Sequence, residues 1–231
     1  MKIATLNIQH RTGKTIVEEL LEYLASLNAD TLVLSEFKPS EKFDRYIDGL
    51  SAVGLKHHAV AGKVAVKNSV AIFSRYKFHS ETFPELGADE GRVIKSSFDG
   101  FDLFGVYFPL QNAKRKVYDF FLENRHRPSH NDVFIMGDFN TGLHRIDESG
   151  ATFFCSDRFA RLSESGLIDS WRSRNPKSRE FSWYSNAGNG FRLDHLFATE
   201  SADRRIISIG YDHNPRLKRL TDHSALIAET R

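Results

Sequence analysis

The chain has 231 residues, 40% of them hydrophobic and 27% charged, with a formal net charge of +2 and one cysteine. That length fits one large core better than two, so a single domain over residues 1–231 is expected. The lone Cys155 excludes an intrachain disulfide and a cysteine metal cluster, and reads as a small buried hydrophobe.

In chain order, strand-like runs rich in Val, Ile, Leu and Phe occupy residues 2–8, 31–35, 69–74, 92–98, 102–108, 132–137, 193–198, 206–210 and 225–229. Helical patterns lie between some of them. Residues 14–28 place Ile16, Leu20, Leu24 and Leu27 on one face, with Glu18, Glu19 and Glu22 largely elsewhere. Residues 113–127 turn Val117, Phe120 and Phe121 inward, and residues 156–166 end on a glycine suited to a C-cap. The pattern is mixed α and β, with strands enough for more than one sheet. The stretch 182–190 is the most loop-like, and it is flanked by the aromatics Phe181, Trp183, Tyr184 and Phe191.

The polar residues sit where the apolar runs stop. Asn7 follows IATL, Glu36 follows TLVLS, and Asp138 and Asn140 follow VFIMG. Asp194 stands in FRLDHLFA, and Asp222–His223 opens the last strand-like run. Each alone has an ordinary explanation as a loop carboxylate, a turn or a cap. Together they are strand-end residues that can converge on one sheet edge. Carboxylates gathered there suit a hard cation, Mg²⁺ or Mn²⁺ rather than structural zinc.

The ordered set Leu6-Asn7, Ser35-Glu36, Gly137-Asp138-Phe139-Asn140, Arg192-Leu193-Asp194 and Thr221-Asp222-His223-Ser224 resembles the endonuclease/exonuclease/phosphatase superfamily. The segments at 68–75, 90–94, 106–109, 166–172 and 181–184 resemble its exonuclease III and apurinic/apyrimidinic endonuclease branch, and the likeness runs from residue 2 to about residue 229. The resemblance implies a four-layer α/β sandwich: two mostly antiparallel mixed sheets packed face to face, helices outside, the active site at one end. It implies Mg²⁺- or Mn²⁺-dependent phosphodiester hydrolysis in DNA, at abasic sites, at 3′ ends or both.

The roles it implies are specific. Glu36 resembles the principal metal ligand, and Asp222 a second one. Asn7 and Asn140 hold metal or phosphate with amides that add no negative charge. Asp138 orients or deprotonates water, while His223, fixed by Asp194, meets the phosphate. Tyr107 positions phosphate or stabilises the leaving group. Phe181, Trp183, Phe191 and Arg192 correspond to substrate-facing positions, the aromatics to a pocket for a flipped sugar. Lys114, Arg115, Lys116, Arg216, Lys218 and Arg219 are either phosphate contacts or a solvated basic face.

Gln9 departs from the family, which usually has an acid there, and the loops before Asp138 and Arg192 are short. These departures keep a second reading open, a phosphodiesterase or phosphatase of the same fold acting on RNA, nucleotides or another phosphoester. A third, a catalytically silent binding module, is opposed by competent residue types at every inferred position. Between Trp171 and Arg219 ten Lys or Arg stand against five Asp or Glu, which favours a polyanionic partner. No apolar run nears the ~20 residues of a bilayer span. Strand-like sequence begins at Lys2 without an apolar leader, so a cytoplasmic monomer is expected.

Overall fold

Strands buried on both faces read as continuous apolar runs, whereas strands with one wet face alternate. The long runs here are of the first kind, and the computed structural model, which describes residues 1–39, 43–62, 68–123 and 130–231, shows why. The first half holds β1 (Lys2–Asn7), α1 (Lys14–Ser26), β2 (Thr31–Phe37), α2 (Asp44–Ala52), β3 (His57–Val60), β4 (Ser69–Ser74), β5 (His79–Thr82), β6 (Val93–Phe98) and β7 (Phe101–Tyr107). The second holds α3 (Arg115–Leu122), β8 (Val133–Asp138), α4 (Ser156–Glu164), β9 (Ile168–Asp169), α5 (Ser170–Arg174), β10 (Trp183–Tyr184), β11 (Gly190–Phe191), β12 (Asp194–Ala198), β13 (Ile206–Asp212) and β14 (Ala225–Thr230).

Among the described residues these strands form two six-stranded sheets, ordered β13-β14-β1-β2-β4-β3 and β5-β6-β7-β8-β12-β9, plus a β10-β11 ribbon. Each sheet has one parallel pair, β1–β2 and β7–β8, with antiparallel neighbours on both sides. Successive side chains in a strand point to opposite faces. In β2, Val33 therefore joins Ile72, Leu103, Met136, Leu196 and Leu226 between the sheets, while Leu32 and Leu34 pack with Leu20, Leu24 and Tyr46 of α1 and α2. In β8, Met136 faces the same inter-sheet layer, and Ile135 packs outward with Val117, Phe121 and Phe159 of α3 and α4. Helix, sheet, sheet and helix make the four layers expected from the resemblance. Gly105 lets the sheets approach, since a Cβ there would lie 3.1 Å from both Val33 and Ile72.

All nine expected strands are present. The helix expected at 14–28 runs Lys14–Ser26, but its buried stripe is Val17, Leu20, Tyr23 and Leu24, with Ile16 half-buried. The helix expected at 113–127 begins later, at Arg115, after a 3-10 turn over Gln111–Lys114; its expected end falls outside the described residues. α4 matches its expected start, and Gly166 lies beyond its end at φ +94°, where a side chain would be strained. The short β3, β5 and α2 escaped periodicity, because four-residue edge strands such as HHAV and HSET carry half-exposed polar residues.

Candidate active site

The parallel strands β1, β2, β7 and β8 all end on one side of the sandwich, where antiparallel β12 and β14 begin. Register then places Tyr107 beside Asp138 and Asp138 beside Asp194, across three adjacent strands. Asn7 ends β1 in the facing sheet, and its Nδ2 reaches Asp138 Oδ2 at 2.9 Å and Glu36 Oε1 at 3.2 Å. One amide thus joins the two sheets at the floor of a cleft. Glu36 enters it because β2 bulges between Ser35 and Phe37, putting Glu36 at φ +57°. A bulge re-aims a side chain, and a non-glycine residue held there is strained.

The Gly-Asp-Phe-Asn turn is equally determined by local chemistry. A Cβ on Gly137 would lie 2.0 Å from the Val106 carbonyl oxygen, so only glycine fits. Phe139 is buried and stacks on Phe108 at 4.7 Å. Asn140, at φ +51°, donates its backbone N–H to Asp138 Oδ1 (2.8 Å) and its amide to the Phe108 carbonyl (2.9 Å). Thr221 donates to the Asn7 carbonyl at 2.7 Å, which holds the Thr221–His223 segment against β1.

At the centre, Asp138, Asp194 and His223 are buried, with ligand-capable atoms within 4.8 Å of one another. His223 Nδ1 lies 2.8 Å from Asp194 Oδ2, leaving Nε2 for the cleft. Burial pushes the Asp138 carboxyl up to about 7, reinforced by the negative charge of Asp194. Burial alone would lower His223, but the charge and hydrogen bond of Asp194 outweigh it and raise the imidazole to about 10. A basic carboxylate therefore sits beside an imidazolium.

The surrounding walls are mixed. A cavity of about 480 Å³ is lined by Glu36, Tyr107, Asp138, Asn140, Asp222 and His223. Leu110, Lys114, Phe153, Phe154, Trp183 and Phe191 line it as well, Trp183 directly beside Asp222 and His223. Tyr107 donates to Glu36 Oε1 (3.2 Å), lies under the Arg92 guanidinium, and is held protonated by burial and by Glu36 and Asp138. Trp183 Nε1 donates to Asp222 Oδ2 at 2.9 Å. Glu36 and Asp222 are partly exposed oxygen donors at the mouth, a donor set that fits a hard divalent cation.

A model of the endonuclease/exonuclease/phosphatase family matches residues 4–223. The chain belongs to that family. A curated relative, a DNA-(apurinic or apyrimidinic site) endonuclease of Dictyostelium discoideum, is 26% identical over 93% of this chain and 69% of its own length. Two solved structures share the fold: a 3′ phosphatase, NExo, from Neisseria bound to product DNA hairpin (TM-score 0.82, 24% identity), and an AP endonuclease from Archaeoglobus fulgidus (TM-score 0.81, 22% identity). Each alignment covers 100% of this chain and 99% of the other.

Within this family member, the structure gathers Asn7, Glu36, Tyr107, Asp138, Asn140, Asp194, Asp222 and His223 at one cleft, with Trp183 and Phe191 in its wall. Arg192 is a correction. It is fully buried away from substrate, its Nε and Nη2 on Asp147 (2.7 and 3.1 Å) and its Nη1 and Nη2 on Asp169 (3.2 and 2.6 Å). Phe181 is the other: it packs under Gly190, where a Cβ would lie 2.4 Å from its ring, and does not line the cavity.

Of the basic residues, Arg115, Lys116, Lys218 and Arg219 are exposed, and Arg216 stacks over Tyr184. Lys114 differs. It is buried in the cavity wall with its ammonium donating to the Asn140 carbonyl, and burial lowers it to about 8. Periodicity gave no warning, because Lys114 precedes α3 on an irregular turn. Leu110, Phe153 and Phe154 also lie in loops, where apolar residues carry no pattern. Cys155 is buried as expected. No helix among the described residues is long and apolar enough to cross a membrane.

Proposed function

We propose that this chain, acting as one catalytic domain, hydrolyses phosphodiester bonds in DNA with a divalent cation, Mg²⁺ or Mn²⁺. Its proposed substrates are abasic sites, 3′ ends or both, in base excision repair. The observation that carries the reading is the buried carboxylate Asp138 beside an imidazole held by Asp194. A phosphodiester repels nucleophiles, so a site must lower its charge, aim a water and support the departing oxygen. Asp138, basic near neutral pH, takes the proton from the attacking water. His223 donates to a non-bridging oxygen as charge builds there, and Asp194 keeps the imidazole charged and oriented. Asn7 and Asn140 hold Asp138 in line. Tyr107, kept neutral, donates towards the phosphate or leaving oxygen, and Lys114 adds positive charge at the cavity wall. Glu36 and Asp222 would hold the cation, which supplies Lewis-acid charge to the phosphate.

The two DNA-acting relatives named above, an abasic-site endonuclease and a 3′ phosphatase, support DNA as the substrate class. The aromatic wall of Phe153, Trp183 and Phe191 is suited to an extruded sugar or unstacked base. The test is a panel of abasic duplex, recessed 3′ ends, 3′-phosphorylated ends, single-stranded DNA, RNA and small phosphodiesters, each with Mg²⁺, Mn²⁺ or EDTA. EDTA-sensitive cleavage of abasic duplex or removal of 3′ groups is expected. Turnover of RNA or small phosphoesters without DNA would replace the reading with the alternative that Gln9 favours.

A further inference from the structure

The two oxygens of Glu36 have different surroundings. Oε1 receives the Asn7 amide and the Tyr107 hydroxyl, both at 3.2 Å. Oε2 meets His10 Nδ1 at 2.7 Å, its one hydrogen-bond partner among the described residues. His10 reaches it from the turn after β1, where Gln9 and His10 are both left-handed, at φ +50° and +38°. Such backbone is costly for residues with a side chain, of order 1 kcal/mol or more each. The turn is held by Gln9 N–H on Asn7 Oδ1 (2.8 Å), Ile8 N–H on the Ser35 carbonyl (3.1 Å) and Arg11 N–H on the Ile8 carbonyl (3.1 Å). The strained turn thus carries the imidazole to the carboxylate proposed above to hold the cation.

We infer that His10 is a ligand of the cation held by Glu36, giving a mixed nitrogen–oxygen site that prefers Mn²⁺ to Mg²⁺. Neighbouring donors around an ion at ~2.1 Å lie roughly 3 Å apart. The 2.7 Å between Nδ1 and Oε2 is close to that spacing, so the two atoms can share one ion once the ring turns its lone pair from Oε2 to the ion. The imidazole is 49% exposed, which leaves room for the remaining water ligands. Imidazole binds Mn²⁺ and later metals better than it binds Mg²⁺, while carboxylate accepts either. A nitrogen donor beside a single carboxylate adds no negative charge to the donor set and moves its preference in the same direction. The competing account is a plain hydrogen bond in which His10 only supports Glu36.

This inference rests on the metal-dependent reading above, and the experiment separates the two. Mn²⁺ and Mg²⁺ affinities are measured by calorimetry on the full chain and on its His10→Ala, His10→Gln and Glu36→Gln variants. Pulsed electron paramagnetic resonance on the Mn²⁺-loaded proteins reads directly bound nitrogen. Wild type should show imidazole nitrogen coupling that both His10 variants lose. Their Mn²⁺ affinity should fall roughly tenfold and their Mg²⁺ affinity less than threefold. Glu36→Gln must abolish the coupling too, which separates this site from the His144–Glu148 and His213–Glu180 pairs. Mn²⁺ binding without nitrogen coupling, or coupling that survives His10→Ala, overturns the His10 assignment alone. If wild type binds neither ion, the metal-dependent reading falls with it.

Discussion

Two buried charge clusters flank Leu193, and they are built on opposite principles. Arg192 lies between Asp147 and Asp169, Arg172 adds a second contact to Asp147 at 2.7 Å, and the Leu143 N–H completes the shell. Burial alone would raise both carboxyls, but the Arg192 guanidinium overrides it and holds them below the usual range. Two residues on, Asp194 faces Asp138 and His223 with one imidazole between two carboxylates, and its Oδ1 has no hydrogen-bond partner among the described residues. The first cluster is compensated and acts as a brace for the strand that carries Asp194. The second is left with surplus negative charge, which raises the Asp138 carboxyl and, in the proposed function, makes it a base. Buried charge alone does not mark a reactive site. Lack of compensation does.

The comparison breaks most sharply under substitution. Asp138→Asn should lower kcat/KM by about 10³-fold or more, while its melting temperature stays at or above wild type, because a costly buried charge is gone. Loss of folding with it would place Asp138 among the braces. Arg192→Leu should do the reverse. Asp169 then loses its guanidinium partner and Asp147 keeps only Arg172, which costs about 3–5 kcal/mol, and thermal unfolding should drop by roughly 10 °C. Activity per folded molecule measured at low temperature should fall far less than in Asp138→Asn.

pH separates the clusters by sign. Asp138, raised in the folded state, costs stability when ionised, so the metal-free protein should gain stability as pH falls from about 7 towards the ordinary carboxylate range. Asp147 and Asp169 are depressed, so their contribution is present above that range and is lost as pH falls below it. Denaturant midpoints across pH should show the first slope vanish in Asp138→Asn. Activity should rise with pH as Asp138 ionises, and a bound cation should move that limb lower.

The smallest effects concern the aromatics. Phe191→Ala should weaken substrate binding by about five- to tenfold, on the scale of one lost stacking contact. Phe181→Ala should leave KM alone and lower stability by a few kcal/mol, because its ring supports the β10–β11 ribbon. A KM effect from Phe181→Ala would return it to the substrate wall.

Much of this was legible along the chain. The nine longer strands, and the polar residues at five stations beside them, were readable because apolar runs and turn chemistry are local. The turn chemistry of Gly137-Asp138-Phe139-Asn140 is written in its residue types, whereas the Asp194–His223 partnership came only with the family resemblance. Arg192 and Phe181 were not readable in this way. Whether a residue beside a motif faces substrate depends on what lies across from it, and Asp147 and Gly190 are remote or patternless in sequence. Lys114 is similar: a Lys-Arg-Lys run shows charge, but only folding decides which of three cations is buried.

The chain's residues alone carried the inventory and its order: strands enough for more than one sheet, and acids, amides and a histidine at the ends of several, because apolar runs and turn chemistry are local. Which of those charges are neutralised was fixed by folding. Strand register set Tyr107, Asp138 and Asp194 side by side, the bulge at Glu36 aimed its carboxylate across the cleft, and the turn after β1 brought His10 to it. The energy of a charge depends on every group within a few ångströms, and in this fold those groups come from strands far apart in the chain.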